Sequence, residues 1–508
     1  MKVVIVGAGL GGLAAACHLV GNGHDVTVVE RDPAPGGRAG RWNSNGYSFD
    51  TGPTVFTMVD FLERTFNAAG ASLEDHVTFD RLDPGYRACY ADGSELFVRA
   101  GREAMTEEIR SICGAHDAAA FGPFCDWLSE LNRVEVPNFI DRNFNTPFDL
   151  ASSPKAAIDL LRLGGFGKLE AKVKTFFDDD RLHRLFSFQA LYAGLSPFDA
   201  LALYGVITYM DTVAGVWAPQ GGIHAVATGL CEAAEKAGAQ FHYGDPVVRI
   251  ERRPGSGAVS GVRTAGGQKF DADVVVANPD VPAVYRELLA STPPWRARTG
   301  TYSPSCLLWL VGVKGEMPER AVHHNIHFSK EWTVSFDELL KKGTMMTDPS
   351  ILVSAPSVTD PSCAPKGGNT LYVLEPVPNL DGKVDWATER IPARDRLAAR
   401  VASLGYPEVI ECEQLIDPLD WDALGMERGT PFAMAHKFAR TGPFRAPNID
   451  RKVPGLVLVG SGTVPGVGVP MVLVSGRLAA ERAEAMAGSA GRGTRGRGTP
   501  SKARSTRK

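Results

Sequence analysis

The chain opens on a run of consecutive β-branched residues, Val3-Val-Ile-Val6, that stops at Gly7. Such a β-branched apolar run predicts a strand. An Ala-rich stretch with helical character follows Gly12, and a second apolar run ends in the acid Glu30. The predicted order is therefore strand, glycine turn, helix, strand. Further along, Gly221 and Gly222 open a helix whose apolar residues recur through Leu230 and Ala234. Residues 245–250 predict a short strand, residues 254–257 a hairpin turn, and residues 273–279 another strand. Near the end, Leu456 to Val459 predicts another buried strand, running into a glycine-rich turn and a helix to about Met486. Between these segments, residues 105–205 read as largely helical, with Leu, Phe and Ala three and four apart. Residues 300–430 mix strands such as Cys306–Val313 and Asn369–Leu374 with helices such as Ala393–Leu404.

This pattern predicts an α/β chain. Residues 1–75, 215–290 and 440–487 form one discontinuous Rossmann-like domain. Residues 76–214 and 291–439 form an inserted α+β substrate domain with a helical lid region.

The first unit carries a chemical signature. Gly7 permits a tight turn, Gly9 lets backbone approach a pyrophosphate, and Gly12 lets the helix pack closely on its strand. The helix N-terminus presents unpaired N–H groups and partial positive charge to the phosphates. Glu30, eighteen residues after Gly12, is placed to accept hydrogen bonds from an adenosine ribose. Together these predict a dinucleotide site.

Composition narrows the picture. The 508 residues allow two or three domains, and 44% apolar with 22% charged residues is ordinary for a soluble globular protein. A net charge of −4 gives no reason to expect a nucleic-acid partner. The eight cysteines are scattered singly without a C-x-x-C, which suits free thiols in a reducing compartment. The opening apolar run is broken by glycines, and no segment holds the roughly 18 uninterrupted apolar residues of a membrane span. The expected location is cytoplasmic.

The loop after the second strand, Glu30-Arg-Asp-Pro-Ala-Pro-Gly-Gly-Arg38, carries a Gly36-Gly37 turn and a guanidinium suited to phosphate oxygens. This element resembles the two-dinucleotide-fold flavoproteins of the amine oxidase and carotenoid desaturase superfamily. The resemblance implies that Gly37 and Arg38 lie along the pyrophosphate of FAD. It also implies that the Gly52-Pro53 turn neighbours the flavin and that backbone at Val248 holds the adenine. The segment Gly460-Ser-Gly-Thr-Val-Pro-Gly-Val-Gly-Val-Pro470 would cover the ribityl chain and isoalloxazine, with Gly460, Ser461, Val469, Pro470 and Met471 in contact. Many amine oxidases carry aspartate where this chain has Ser461, and the segment agrees with the carotenoid desaturase branch instead. With no cysteine in it, the flavin is expected to be noncovalent.

Thr51-Gly-Pro-Thr54, His323-His-Asn-Ile-His-Phe-Ser329, Ser354-Ala-Pro-Ser-Val-Thr-Asp-Pro361 and Pro465-Gly-Val-Gly-Val-Pro-Met-Val472 together resemble the bacterial phytoene desaturases over residues 1–487. That family removes hydrogen stepwise from 15-cis-phytoene toward neurosporene or lycopene, using FAD at the membrane surface. The implied partners are a hydrophobic polyene, a membrane surface, and quinone or oxygen as electron acceptor, with homo-oligomerisation open. Other carotenoid flavoenzymes, a 3,4-desaturase or an oxygenase or ketolase, share these motifs. An amine or protoporphyrinogen oxidase fits less well, and a prenyl-lipid escort protein would not need the intact glycine set.

A hydrocarbon offers no group for a metal or a nucleophilic triad, so neither is expected. Phe186, Phe188, Tyr192, Tyr204, Tyr209, Trp217 and Trp309 are slot-lining candidates or core residues. Asp149 is the candidate base that the resemblance suggests, and it equally reads as a helix cap. His224 is expected on a helix surface or in packing. His323, His324 and His327 lie on a strand, where alternation would turn His323 and His324 to opposite sides. Apolar residues 136–166 with Lys155, Arg162 and Lys168 suggest an amphipathic membrane surface. Residues 488–508, Gly- and Ser-rich with basic residues, are expected to be a disordered tail.

Overall fold

A computed structural model of the chain describes residues 1–493. Its organising element is a five-stranded parallel sheet in the spatial order Leu456–Leu458, Val274–Ala277, Lys2–Val6, Asp25–Val29, Gln240–His242. Strands from the beginning, middle and end of the sequence thus lie side by side. The central positions are Val, Ile and Ala because both faces are covered, and Val3 to Val6 and Val274 to Ala277 are all buried.

Helices Leu10–Gly21, Ile223–Lys236 and Val469–Gly493 pack together over one face of this sheet. The first and last come unusually close. A Cβ at Gly476 would press on Ala14 and the backbone of Ala15, so glycine facing alanine sets the spacing. The other face is covered by an antiparallel sheet of Val247–Arg252, Val259–Thr264 and Lys269–Asp271, with residues 254–257 in the turn between its first two strands.

The second body is a seven-stranded mixed sheet in the order Val409–Ile416, Ser305–Lys314, Gly368–Val377, Ile351–Ser354, His324–His327, Tyr86–Cys89, Glu95–Val98. Only the pairing of His324–His327 with Tyr86–Cys89 is parallel. Against it lies a helical region that includes Arg102–Cys113, Ala115–Glu135 and Pro154–Arg162, with a Phe- and Leu-rich core of its own.

Two helix boundaries differ from the sequence reading. The helix expected from Ala393 begins at Trp386 and continues through Pro392 to Ser403. The Asp385 carboxylate accepts the Ala387 N–H, so a strong N-cap nucleates the helix ahead of the proline. The last helix extends past Met486 to Gly493, so residues 488–493 are helical rather than part of a disordered tail. Once a helix is nucleated each added residue gains a hydrogen bond, which offsets the roughly 1 kcal/mol cost of each of Gly488, Gly491 and Gly493. The basic residues of the tail, Arg495, Arg497, Lys502, Arg504, Arg507 and Lys508, lie outside the described residues.

Candidate flavin site and apolar cavity

The glycine turn after the first strand is shaped by what surrounds it. Gly7 has φ +97°, which a Cβ would strain. A Cβ on Gly12 would overlap the carbonyl oxygen of Gly7, so only glycine lets the helix sit this close to its strand. A Cβ on Gly9 would lie 2.8 Å from Asn278 Nδ2. Asn278, at the end of strand Val274–Ala277, wedges its amide among Gly7, Gly9, Gly11 and Gly460. It joins the first and last glycine turns, and nothing in its local sequence singled it out.

Glu30 is 4% exposed, and its carboxylate accepts the backbone N–H groups of Ala8 at 2.5 Å and Asp32 at 2.9 Å. Burial raises its pKa above the ordinary carboxylate value, and the two N–H groups oppose that. The acid therefore also ties the second strand end to the glycine turn.

Arg38 departs from the simple expectation of a free fork. Its Nη1 donates to Ser461 Oγ and its Nη2 to Asp280 Oδ1, each at 2.8 Å. Nε is buried without a protein partner, and Arg38 lines the cavity. The two protein bonds fix the plane of the guanidinium and leave the buried Nε–H for an anionic oxygen. Asp280 and Ser461 were each separated from Arg38 by more than two hundred residues, and Asp280 had no sequence signal.

The C-terminal turn is clamped by a second arginine. Arg445 is 2% exposed and donates to the carbonyl oxygens of Thr463, Met434 and Ser461 at 2.6–3.1 Å. Desolvation lowers its pKa to about 10, which still leaves it cationic at neutral pH. The Gly52-Pro53 turn is held by Tyr372, whose hydroxyl donates to the Gly52 carbonyl at 2.6 Å. A Cβ on Gly52 would overlap the Arg38 carbonyl oxygen. Asp50 accepts N–H groups of Ile223 and His224, and the His224 ring bonds the Ala39 carbonyl at 2.9 Å. His224 therefore supports the Gly36-Gly37 turn.

These turns border one cavity of about 790 Å³. Gly7, Gly9, Glu30, Gly37, Arg38, Gly52, Pro53, Gly460, Ser461, Val469, Pro470 and Met471 all line it. Gly12 does not, because it packs helix on strand. Val248 does not either. It is 46% exposed, and its neighbours Pro246 and Val247 line the cavity instead. Alternation along the strand turns the Val248 side chain outward.

From the glycine turns the cavity continues between Tyr192, Tyr204, Ile207, Met210, Tyr372 and Leu374 to Leu160, Phe166, Phe438 and Phe444. Of the seven aromatics considered for a slot, Tyr192 and Tyr204 line it. Phe186 is buried in the helical core, and Phe188 and Tyr209 pack against that core. Trp309 belongs to the second sheet's core and donates to Glu413, and Trp217 sits under the Arg81 guanidinium.

Asp149 is not on the cavity. Its carboxylate accepts from the Asn145 and Thr146 N–H groups and the Thr146 hydroxyl, and the Asn145 bond chiefly lowers its pKa. It is a turn cap, and a weak base for that reason. The carboxyls that do reach the apolar part are Glu135 and Asp211. Cys306 also lines the cavity, and burial pushes its thiol up to about 12, which keeps it protonated.

The histidines each have protein partners: His323 with Thr359, His324 with Ser354, and His327 with Tyr406. His323 precedes the strand, which starts at His324, so alternation does not separate them. Their rings lie 4.3 Å apart, not on opposite sides.

The donor set fits a dinucleotide with a flavin beyond it: a glycine cradle that side chains would fill, a helix N-terminus at Gly9 to Gly11, and the unpaired Arg38 Nε. A family model described as flavin containing amine oxidoreductase matches residues 10–483. The chain is 47% identical to a phytoene dehydrogenase of Streptomyces griseus, over 94% of each chain. It is 36% identical to a zeta-carotene-forming phytoene desaturase of Myxococcus xanthus, over 95% of this chain and 93% of that one. In fold it is similar to an oxidoreductase from Methanosarcina mazei, with TM-score 0.61 and 18% identity over 95% of this chain and all of that one. The chain belongs to the flavin-containing amine oxidoreductase family.

Proposed function

We propose that this chain is an FAD-dependent carotenoid desaturase that dehydrogenates 15-cis-phytoene stepwise toward neurosporene or lycopene. The observation that carries the reading is the continuity of one cavity, from the glycine turns at Gly7, Gly52 and Gly460 to the aromatic mouth at Phe166 and Phe438. Relatives named as phytoene desaturases match over nearly the whole chain, which supports the substrate class.

Gly9, Gly37, Arg38 and Glu30 would hold the pyrophosphate and ribose of FAD without a covalent bond. Bound flavin supplies a two-electron acceptor for hydride, and quinone or oxygen then takes the electrons on. The chain's own part is to exclude water and orient the polyene. Leu374, Tyr372, Ile207 and Met210 offer apolar walls but no anchoring charge, so a hydrocarbon is held by shape and burial.

The mouth favours entry from lipid. Ile158 is 50%, Leu161 66%, Phe166 44% and Phe438 53% exposed, while Ala157 and Leu160 of the same helix line the cavity. The helix Pro154–Arg162 thus turns apolar residues both inward and outward, with Lys155 and Arg162 beside them. This suits peripheral seating on a membrane. Among the described residues no helix is long and apolar enough to cross one.

The test is expression in cells that accumulate phytoene, with pigments separated by chromatography. Coloured, more desaturated products are expected, with FAD released on denaturation. Unchanged phytoene beside flavin-loaded protein would overturn the assignment.

A further inference from the structure

The desaturase reading leaves one proton to be placed. Removing two hydrogens from adjacent carbons as hydride and proton requires a group that takes the proton inside an apolar slot. Three carboxyls come into question, and the structure separates them.

Asp149 lies off the cavity and is held as an anion by backbone N–H groups. Glu135 is on the cavity and 5% exposed, and its Oε1 has no hydrogen-bond partner. Burial raises its pKa well above the ordinary value and no hydrogen bond opposes that, which favours the protonated form, the one that cannot accept a proton. Asp211 is also on the cavity and 5% exposed, but it is differently supported. The Tyr86 hydroxyl donates to its Oδ2 at 3.3 Å, and the Gln189 amide also faces it. Tyr192, which lines the cavity, interacts with Tyr86. Asp211 sits in a π-helical stretch, Met210–Ala214, following the helix Gly205–Tyr209. Such irregular turns are often found at functional sites because they re-aim a side chain.

We propose that the Asp211 carboxylate is the proton acceptor of the desaturation, with Tyr86 as the residue that positions it. One C–H bond of the polyene breaks with both electrons leaving on the hydrogen, as hydride, to oxidised flavin. The neighbouring C–H bond gives its proton to Asp211, forming a carboxyl O–H bond. The electron pair of that C–H bond becomes the new C=C bond. Substrate loses two electrons and flavin gains two. The anion also stabilises the positive charge that develops on carbon as hydride departs.

The electrostatics agree with this role. Desolvation raises the Asp211 pKa to about 7, while the Tyr86 and Gln189 hydrogen bonds hold it from going higher. A base poised near the working pH is available as anion and still binds a proton well. The titratable groups nearest it are Tyr86 from the strand Tyr86–Cys89 and Tyr192 from the turn Phe188–Ala193. Burial raises both far above neutrality, so neither competes for charge.

The experiment uses the purified, flavin-loaded enzyme, and it rests on the desaturase reading only in its kinetic arm. Infrared difference titration without substrate should show buried carboxyls protonating near neutrality, Glu375 among them, and Asp211→Asn should remove one of these bands. With phytoene in liposomes, Asp211→Asn should lower turnover about a hundredfold or more while flavin content is kept. The fall in rate on the acid side, where the carboxylate is protonated, should vanish with it. Tyr86→Phe removes a bond that favours the anion, so it should move the acid limb to higher pH and leave the protein folded. An Asp211→Asn enzyme with wild-type turnover and the same acid limb overturns the proposal. So does an infrared difference that Asp211→Asn leaves unchanged, or an acid limb that Tyr86→Phe does not move. Wild-type enzyme that leaves phytoene untouched sinks the desaturase reading, and the infrared titration still decides whether Asp211 titrates as stated.

Discussion

Arg38 Nη1 donates to Ser461 Oγ at 2.8 Å, joining the loop after the second strand to the last glycine turn across 423 positions. The same guanidinium pairs with Asp280 at 2.8 Å, where the Asp280 side chain is 7% exposed. Three segments of the chain are thus pinned at one side chain.

Arg38→Met should therefore do more than weaken cofactor binding. It takes the cationic partner from the buried Asp280 carboxylate, which keeps the Glu427 N–H at 3.1 Å. Removing one member of a buried pair destabilises by roughly 3–5 kcal/mol, and the 29% exposure of Arg38 puts this case near the low end. Flavin retained after gel filtration and the thermal midpoint should both fall.

Gly12→Ala tests the packing of the first helix. The added methyl meets the Gly7 carbonyl oxygen, so helix and strand must separate. The expected loss is about 1–3 kcal/mol by overpacking. Because the helix start moves with it, flavin affinity should drop even in variants that remain folded, as fluorescence of released flavin would report.

Glu135 makes stability depend on pH in a definite direction. Its folded pKa is raised above the ordinary 4.5, so the native state holds a proton that the unfolded chain has released. Stability from this group is present below pH 4.5 and declines as pH rises above it. Glu135→Leu should flatten that decline, seen as a smaller drop in denaturant midpoint between acid and neutral pH. An unchanged slope would contradict the burial assigned to this carboxyl.

The outward side chains Ile158 and Leu161 should govern liposome binding. Each fully buried side chain of this type contributes roughly 1.5–3 kcal/mol, so the double change to Ser should weaken sedimentation with liposomes about tenfold or more. Turnover of detergent-dispersed substrate should change far less, because the inward Ala157 and Leu160 are untouched.

The cofactor end was legible because its signals are local. Gly7, Gly9 and Gly12 must be glycine for reasons set by a turn and its own helix, and Glu30 follows at a spacing fixed by one helix and one strand. The strands beside them are buried on both faces and so are written as unbroken Val and Ile runs. Asn278, Asp280 and Arg445 escaped notice because each acts on a turn far away in sequence, and an isolated Asn, Asp or Arg carries no periodic mark. The aromatic slot was read poorly for a related reason. Phe186 and Tyr192 look alike in sequence, yet one is buried in the helical core and the other faces the cavity.

The sequence by itself determined the dinucleotide turn, the order of strand, turn and helix around it and the family likeness, since these rest on short-range geometry repeated in residue order. Only the tertiary structure decided which carboxyl faces the polyene slot. Asp149, Glu135 and Asp211 are chemically near-identical in a sequence. Backbone N–H groups around the first, apolar surroundings without a partner around the second, and the hydroxyl of Tyr86 beside the third give them different proton affinities and different places.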